Sequence, residues 1–148
     1  MRKMAIEITE LYITDYEDVI SLWENTEGIK LRDADSKENI QRYLERNSGL
    51  SFAARKDGQI VGAILCGHDG RRGYLHHLAV LPIYRRQGIG TKLVESSLAR
   101  LRNWGIEKCH LFILTENVQA KQFWEKLGWC ERTDIQMMSL NLSNSSNP

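Results

Sequence analysis

The stretch Leu78-Ala79-Val80-Leu81-Pro82-Ile83-Tyr84-Arg85-Arg86-Gln87-Gly88-Ile89-Gly90-Thr91 constrains this 148-residue chain more than any other. An apolar run stops at Pro82, which has no N–H with which to continue a β-ladder. Beyond two glycines, Val94, Leu98 and Leu101, with Leu93 and Ser97 alongside, predict a helix over 88–104 that Gly105 closes. A strand must therefore pass through a short loop into a helix N-terminus. The N–H groups of a helix's first turn have no internal acceptor and carry the positive end of its dipole. Glycine lets an anion approach that backbone without a Cβ in the way. The segment thus has the makings of a phosphate or pyrophosphate cradle, with Arg85 and Arg86 adding charge. A plain strand-to-helix turn with two solvated arginines fits the same pattern. A Rossmann fingerprint does not, because Leu93 stands where its third glycine belongs, and no Gly-Lys-Ser/Thr follows at Walker spacing.

The flanking pattern alternates strands and helices. Residues 6–11 alternate apolar and polar with period two and predict a strand. Thr14, followed by Asp15, Glu17 and Asp18, predicts an N-cap and an acidic first turn, with Val19, Leu22 and Trp23 continuing the helix. A second helix is expected near Ser36, with Ile40, Tyr43 and Leu44 inward. Residues 51–56, the turn Asp57-Gly58 and residues 59–67 give the strongest hairpin signal. A looser turn over 67–73 leads into a strand over 74–81. Residues 108–114 read as a buried strand, while Ala120, Phe123, Trp124 and Leu127 repeat at helical spacing before Gly128. A last strand is expected over 134–142, with a short extra one near Trp129 as an option. The order β-α-α-β-β-β-α-β-α-β defines an α/β chain, α+β in the stricter sense. One domain over 1–142 with a polar tail over 143–148 is the expected organisation.

Composition narrows the partners. Lys and Arg number 20 against 19 Asp and Glu, a net charge of +1, whereas nucleic-acid binders and polybasic membrane anchors rest on an excess of base. The pairs Arg71-Arg72 and Arg85-Arg86 lack the aromatic platform that single-stranded RNA needs. No apolar run approaches the roughly 20 residues that span a bilayer. Met1-Arg2-Lys3-Met4 opens like a secretion signal, but Glu7 and Glu10 fall in the would-be apolar region. Cys66, Cys109 and Cys130 are odd in number and far apart, so reduced thiols and a cytoplasmic location are expected. The four histidines and three cysteines show no metal-ligand spacing, and no Gly-x-Ser-x-Gly elbow occurs. No metal and no nucleic acid or membrane partner is expected.

Arg85-x-x-Gly88-x-Gly90 after Leu78-Ala79-Val80-x-Pro82 resembles the acyl-coenzyme A signature of the GNAT superfamily of N-acetyltransferases. Downstream, Asn117-x-x-Ala120-x-x-Phe123-Trp124-x-Lys126-Leu127-Gly128-Trp129 is similar to a second element of that family, Asn-x-x-Ala-x-x-Phe-Tyr-x-x-x-Gly-Phe. The element order agrees along nearly the whole chain. The resemblance implies a GNAT-like, mostly antiparallel sheet of six to seven strands flanked by about four helices. It implies acetyl-CoA as co-substrate and an amine, on a small molecule or a peptide, as acceptor. Backbone groups of Leu78, Ala79 and Val80 would meet the pantetheine arm as if it were an added strand. Amides of Arg86, Gln87, Gly88, Ile89, Gly90 and Thr91, beside the Arg85 side chain, would hold the pyrophosphate. Asn117 would meet the pantetheine or thioester, and it also suits a helix N-cap, a role that leaves its amide free. Phe123 reads as core and Lys126 as a solvated lysine.

Two departures concern the chemistry. Trp124 occupies the position of the family's tyrosine acid, and an indole N–H is too weakly acidic to replace it. Phe112 or Ile113 lies where many members carry a glutamate base. His76 and His77, with Glu116 and Tyr74, are the substitutes to weigh, since imidazole titrates near neutrality. Strict strand alternation would put His76 and His77 on opposite faces, His76 with Leu78 and Val80. His68 and Asp69 suit a loop equally well, and His110 reads as structural. Asp33, Asp35, Asp69 and Glu116 are acids that attract a cationic amine or are merely solvated. The competing reading is a non-catalytic acyl-CoA sensor on the same fold. The last strand leaves a homodimer open.

Overall fold

The computed structural model describes residues 5–144. Met1-Arg2-Lys3-Met4 and the last four residues of the tail lie outside them. The described residues fall into two compact units, one ending at Phe112 and one beginning at Ile113.

The first unit is built on a sheet in the order β1-β2-β3-β4-β5. Its strands are β1 (Glu7–Glu10), β2 (Phe52–Lys56), β3 (Gln59–His68), β4 (Gly73–Val80) and β5 (Cys109–Leu111). All neighbours are antiparallel except β4 and β5, which run parallel. Asp57 and Gly58 take φ of 54° and 77°, the left-handed pair that a tight hairpin turn requires. On one face, helices α1 (Tyr16–Glu24) and α2 (Lys37–Arg46) bury Val19, Leu22, Trp23 and Ile40 against Ala53, Ala63, Leu65 and Ala79. The opposite face takes α3 (Ile89–Asn103), whose Leu93, Val94, Ser97 and Leu101 are buried. A Cβ on Gly73 would stand 2.7 Å from Leu101 Cδ1, so this strand residue must be glycine for α3 to lie so close.

Local chemistry sets the helix starts. Ser36 caps α2, its Oγ accepting the Asn39 N–H at 3.2 Å. Thr14 does not cap α1. A short 3-10 turn (Ile13–Asp15) precedes that helix, and Asp15 folds back to accept the Tyr12 N–H at 3.0 Å. In the second unit, Asn117 caps α4 (Val118–Lys126) by accepting the Ala120 N–H at 3.0 Å.

The fold class stands, but the described residues form five strands, below the six to seven expected. Among the described residues no strand forms over 134–142 or near Trp129, and β5 is shorter than residues 108–114. Ile135, Met137, Met138, Leu140 and Leu142 are all exposed. Adjacent Met137 and Met138 break the period of two, so apolar side chains point both ways and no single face is left to bury.

The alternation expected for β4 also fails. Ala79 pairs with Ala63 and His76 pairs with Leu65, so His77 and Leu78 together oppose the single residue Ile64. This is a β-bulge, and His77 takes φ of 53° within it. The extra residue leaves His76 on the side of Ala79, not with Leu78 and Val80. His76 and His77 accordingly both face α1 and α2.

A half-buried ion pair ties β2 to the entrance of α1. Arg55 donates to both Asp15 oxygens, at 3.1 and 2.7 Å, and to Thr9 Oγ1 at 2.8 Å. Burial pushes the Asp15 carboxyl up, but hydrogen bonds from Arg55 and the Tyr12 N–H outweigh it and hold the group below its ordinary value. A depressed carboxyl stabilises the fold above its unfolded pKa, about 3.9, and loses that contribution as pH falls through the folded value. Arg55→Met is therefore expected to cost about 1–2 kcal/mol at pH 7. In urea melts its deficit against wild type should shrink as pH drops below about 4.

Candidate active site

The site is built where β4 hands over to α3. Strand β4 has eight residues, yet it pairs with β5 only at Gly73, Tyr74 and Leu75, opposite Cys109, His110 and Leu111. From His76 onward its outer edge has no strand partner among the described residues. The Leu81 N–H donates to Val61 O at 2.8 Å, so the carbonyl of Val80, in the same trans peptide, points away from β3 into that open side. There it accepts the Arg85 Nε–H at 3.0 Å. An extended ligand carrying amide groups can complete such an edge as a further strand does.

Pro82 opens a 3-10 turn (Pro82–Tyr84) that carries the chain off the sheet. Arg86 and Gly88 take φ of 63° and 79°, two left-handed residues that curl the loop ahead of α3. The first helical hydrogen bond into this N-terminus runs from Lys92 N–H to Gly88 O at 3.0 Å. The N–H groups of Ile89, Gly90 and Thr91 therefore have no acceptor in the helix, and no side chain caps them. No acidic residue lies in the first turn, and a Cβ at Gly88 would meet nothing within 4 Å. Open space, free amides and the positive end of a 15-residue helix fit a pyrophosphate.

The bulge places a second group of side chains beside the open edge. His77 Nε2 lies 2.9 Å from Asp35 Oδ1, and its ring packs 5.1 Å from that of Trp23. Asp35 is 8% exposed. Burial pushes its carboxyl up, but hydrogen bonds from His77 and the Arg32 N–H, with the charges of the two histidines, hold it below the usual range. His76 forms a cluster with the Tyr74 and Phe112 rings, their centroids 6.3–6.5 Å apart and their planes near parallel, with Tyr43 edge-on at 6.2 Å. Burial, then the charge of His77, pulls His76 below the ordinary imidazole value against an opposing pull from Asp35. Two buried donors on neighbouring rings, Trp23 Nε1 and Tyr43 OH, have no hydrogen-bond partner.

The remaining candidates separate. His68 Nδ1 accepts the Gly70 N–H, and Asp69 accepts those of Arg71 and Arg72, so both belong to their turn. His110 packs against Tyr74 at 5.6 Å. In the second unit Glu116 is exposed, and Trp124 is buried between Phe123 and Trp129, at 5.1 and 5.2 Å. The pairing of Asp35 with His77, 42 positions apart, has no counterpart in the sequence pattern. Asp35 there is one acid among several in a loop.

Fold and site together define a coenzyme A-dependent acyltransferase class: a strand left half-open beside a helix whose bare N-terminus awaits a pyrophosphate. The sequence profile of the acetyltransferase (GNAT) family matches residues 7–129. An acetyltransferase of Sodalis glossinidius is 30% identical over 137 residues, 93% of this chain and 96% of its own. One from Pectobacterium atrosepticum is 34% identical over 115 residues, 78% and 81% of the two chains. The crystal structure of the PaiA N-acetyltransferase of Thermoplasma acidophilum in complex with coenzyme A superposes with a TM-score of 0.75 at 25% identity, covering 84% of this chain and 89% of that one. The chain belongs to the GNAT family and is an acetyl-CoA-dependent acetyltransferase.

Gly88→Val fills the open space at the α3 N-terminus and forces a β-branched residue into a left-handed backbone. Calorimetry is expected to show coenzyme A affinity falling at least about tenfold, the loss of one or two charge-assisted hydrogen bonds.

Proposed function

We propose that this enzyme moves the acetyl group of acetyl-CoA to a primary amine, on a small molecule or a peptide, by direct attack in a ternary complex. The observation that carries the reading is the open edge of β4 running into the bare N-terminus of α3. On this reading the main chain of Leu78, Ala79 and Val80 takes the pantetheine arm. Val80 O is held by Arg85 in the free protein, so that side chain marks the groove the ligand enters. The amides of Arg86, Gln87, Gly88, Ile89, Gly90 and Thr91 receive the pyrophosphate. Asn117 uses Oδ1 as a cap, and its amide nitrogen remains to donate to the ligand. Bound there, acetyl-CoA supplies an activated thioester, and N–H groups around the bulge favour the negative charge that develops on its carbonyl oxygen.

Direct attack is supported by the two less exposed of the three thiols, Cys130 being exposed and in the second unit. Burial pushes Cys66 up to about 12 and Cys109 up to about 11, so both stay protonated near neutrality and are poor nucleophiles for an acyl-enzyme. Such protonated, reduced thiols also suit a cytoplasmic protein. For the proton that leaves the amine, His76, His77 and Glu116 are the groups to consider. No helix among the described residues is long and apolar enough to cross a membrane.

The competing reading, an acyl-CoA sensor without turnover, draws on Trp124 in place of a tyrosine. The two separate in one assay. Purified enzyme with acetyl-CoA and a panel of polyamines, aminoglycosides and peptide N-termini should release thiol in proportion to enzyme and acceptor. Coenzyme A binding with thiol release at the protein-free rate for every acceptor supports the sensor instead.

A further inference from the structure

The geometry points to Asp35 and His77 as one proton-accepting pair, in which His77 Nδ1 takes the proton of the incoming amine and Asp35 positions the ring. This rests on the transfer to amines proposed above and names the group that performs its proton step.

The pair is built rather than incidental. His77 sits in the β4 bulge at φ of 53°, a conformation uncommon for residues other than glycine. Such strain persists where the surroundings hold it, and active sites are where it collects. The surroundings here are specific. Asp35 Oδ1 meets His77 Nε2 at 2.9 Å, Asp35 Oδ2 accepts the Arg32 N–H at 3.0 Å, and the Asp35 carbonyl accepts the Tyr16 hydroxyl at 2.7 Å. The carboxylate is therefore pinned from α1 and from its own 3-10 turn (Asp33–Asp35) before it touches the ring. As acceptor, it selects the tautomer with hydrogen on Nε2 and leaves the lone pair on Nδ1. Nδ1 makes no hydrogen bond to the described residues, and the His77 side chain keeps 22% of its surface open. The ring stands on the strand whose outer edge is open, immediately before Leu78, Ala79 and Val80. His76 is a poorer choice. Its ring is clustered with Tyr74, Phe112 and Tyr43, with no carboxylate at hydrogen-bond distance.

The step balances. An alkylammonium gives one proton to Nδ1, and Asp35 stabilises the imidazolium that results. The neutral amine then forms its C–N bond as the C–S bond breaks, the sulfur leaving with the electron pair. The second amine proton ends on that sulfur, and the imidazolium returns its own to solvent. His77 is thus a catalytic residue and Asp35 a positioning one.

The test is a double-mutant cycle on the intact enzyme with the best acceptor of the panel. His77→Asn is chosen because asparagine tolerates the left-handed backbone. It should lower kcat about 100-fold, the usual contribution of a general base, and Asp35→Asn about tenfold. The double variant should be no slower than His77→Asn, because Asp35 acts through the ring. Melting temperature and coenzyme A affinity should stay near wild type in both single variants. Independently of activity, 15N NMR of the free protein should show His77 protonated on Nε2, and Asp35→Asn should lose that preference. The pairing is overturned if Asp35→Asn keeps its full effect in the His77→Asn background, or if His77→Asn retains wild-type kcat. Wild-type enzyme without turnover on any amine fails the reading above, and this one with it, whereas turnover indifferent to His77 fails this one alone.

Discussion

Strand β4 is hydrogen-bonded to β3 along its length and to β5 for only three residues, and the rest of the site depends on that asymmetry. A strand's outer N–H and C=O groups need partners, and an open edge is satisfied by water, another chain or a ligand. Had β5 continued alongside, Val80 O would be consumed by a ladder and no groove would exist. Because it stops at Leu111, the same backbone that holds the sheet together on one side is free to hold something extended on the other. The bulge adds the second consequence. Inserting one residue at His77 turns two consecutive side chains to the same face and breaks the regular ladder where the edge opens.

How much of this the sequence announces depends on how local each cause is. The Asp57-Gly58 turn, the Ser36 cap, the Asn117 cap and the glycine-led start of α3 are legible because each is settled by a few neighbouring residues. The α3 stripe is legible because burial repeats at helical spacing, Leu93, Val94, Ser97 and Leu101 inward, although Leu98 proves only half-buried. The bulge is not legible. Gly-Tyr-Leu-His-His-Leu-Ala-Val reads as a regular strand, and what shifts it is the register against Ala63 and Leu65. Nor is the Asp35–His77 pair, which needs α1, α2 and β4 assembled before the two residues meet. The apolar residues of 134–142 mislead in the opposite sense. Apolar content alone suggests a strand there, but with the period of two broken at Met137 and Met138 no single face is left to bury against a sheet.

The near-even balance of 20 basic and 19 acidic residues conceals an uneven distribution. The first turn of α3 has no acid, and Arg85, Arg86 and Lys92 cluster on or near it. On the other side of the sheet, Asp15 and Asp35 are each held as carboxylates, one by Arg55 and one by His77, with main-chain N–H groups adding to both. An anionic co-substrate and, on the proposed reading, a cationic acceptor thus find opposite environments without any large net field. Backbone dipoles do much of this, which is why side-chain charge counts underestimate it.

The connection between α1 and α2 then has more than a linking role. Asp35 ends the 3-10 turn in that connection, and its contacts to Tyr16, Arg32 and His77 anchor the turn to α1 and to the β4 bulge at once. Acceptor specificity in so small a fold has to come from segments such as this one, since no separate recognition layer flanks β4 in the first unit. A substitution in the turn that moves Asp35 alters the ring at the bulge as well as the surface an amine meets. On the proposed reading, recognition and proton transfer are coupled through one carboxylate. Divergence of acceptor preference on this scaffold would then be constrained to changes that leave Asp35 within reach of His77, or that replace both residues together.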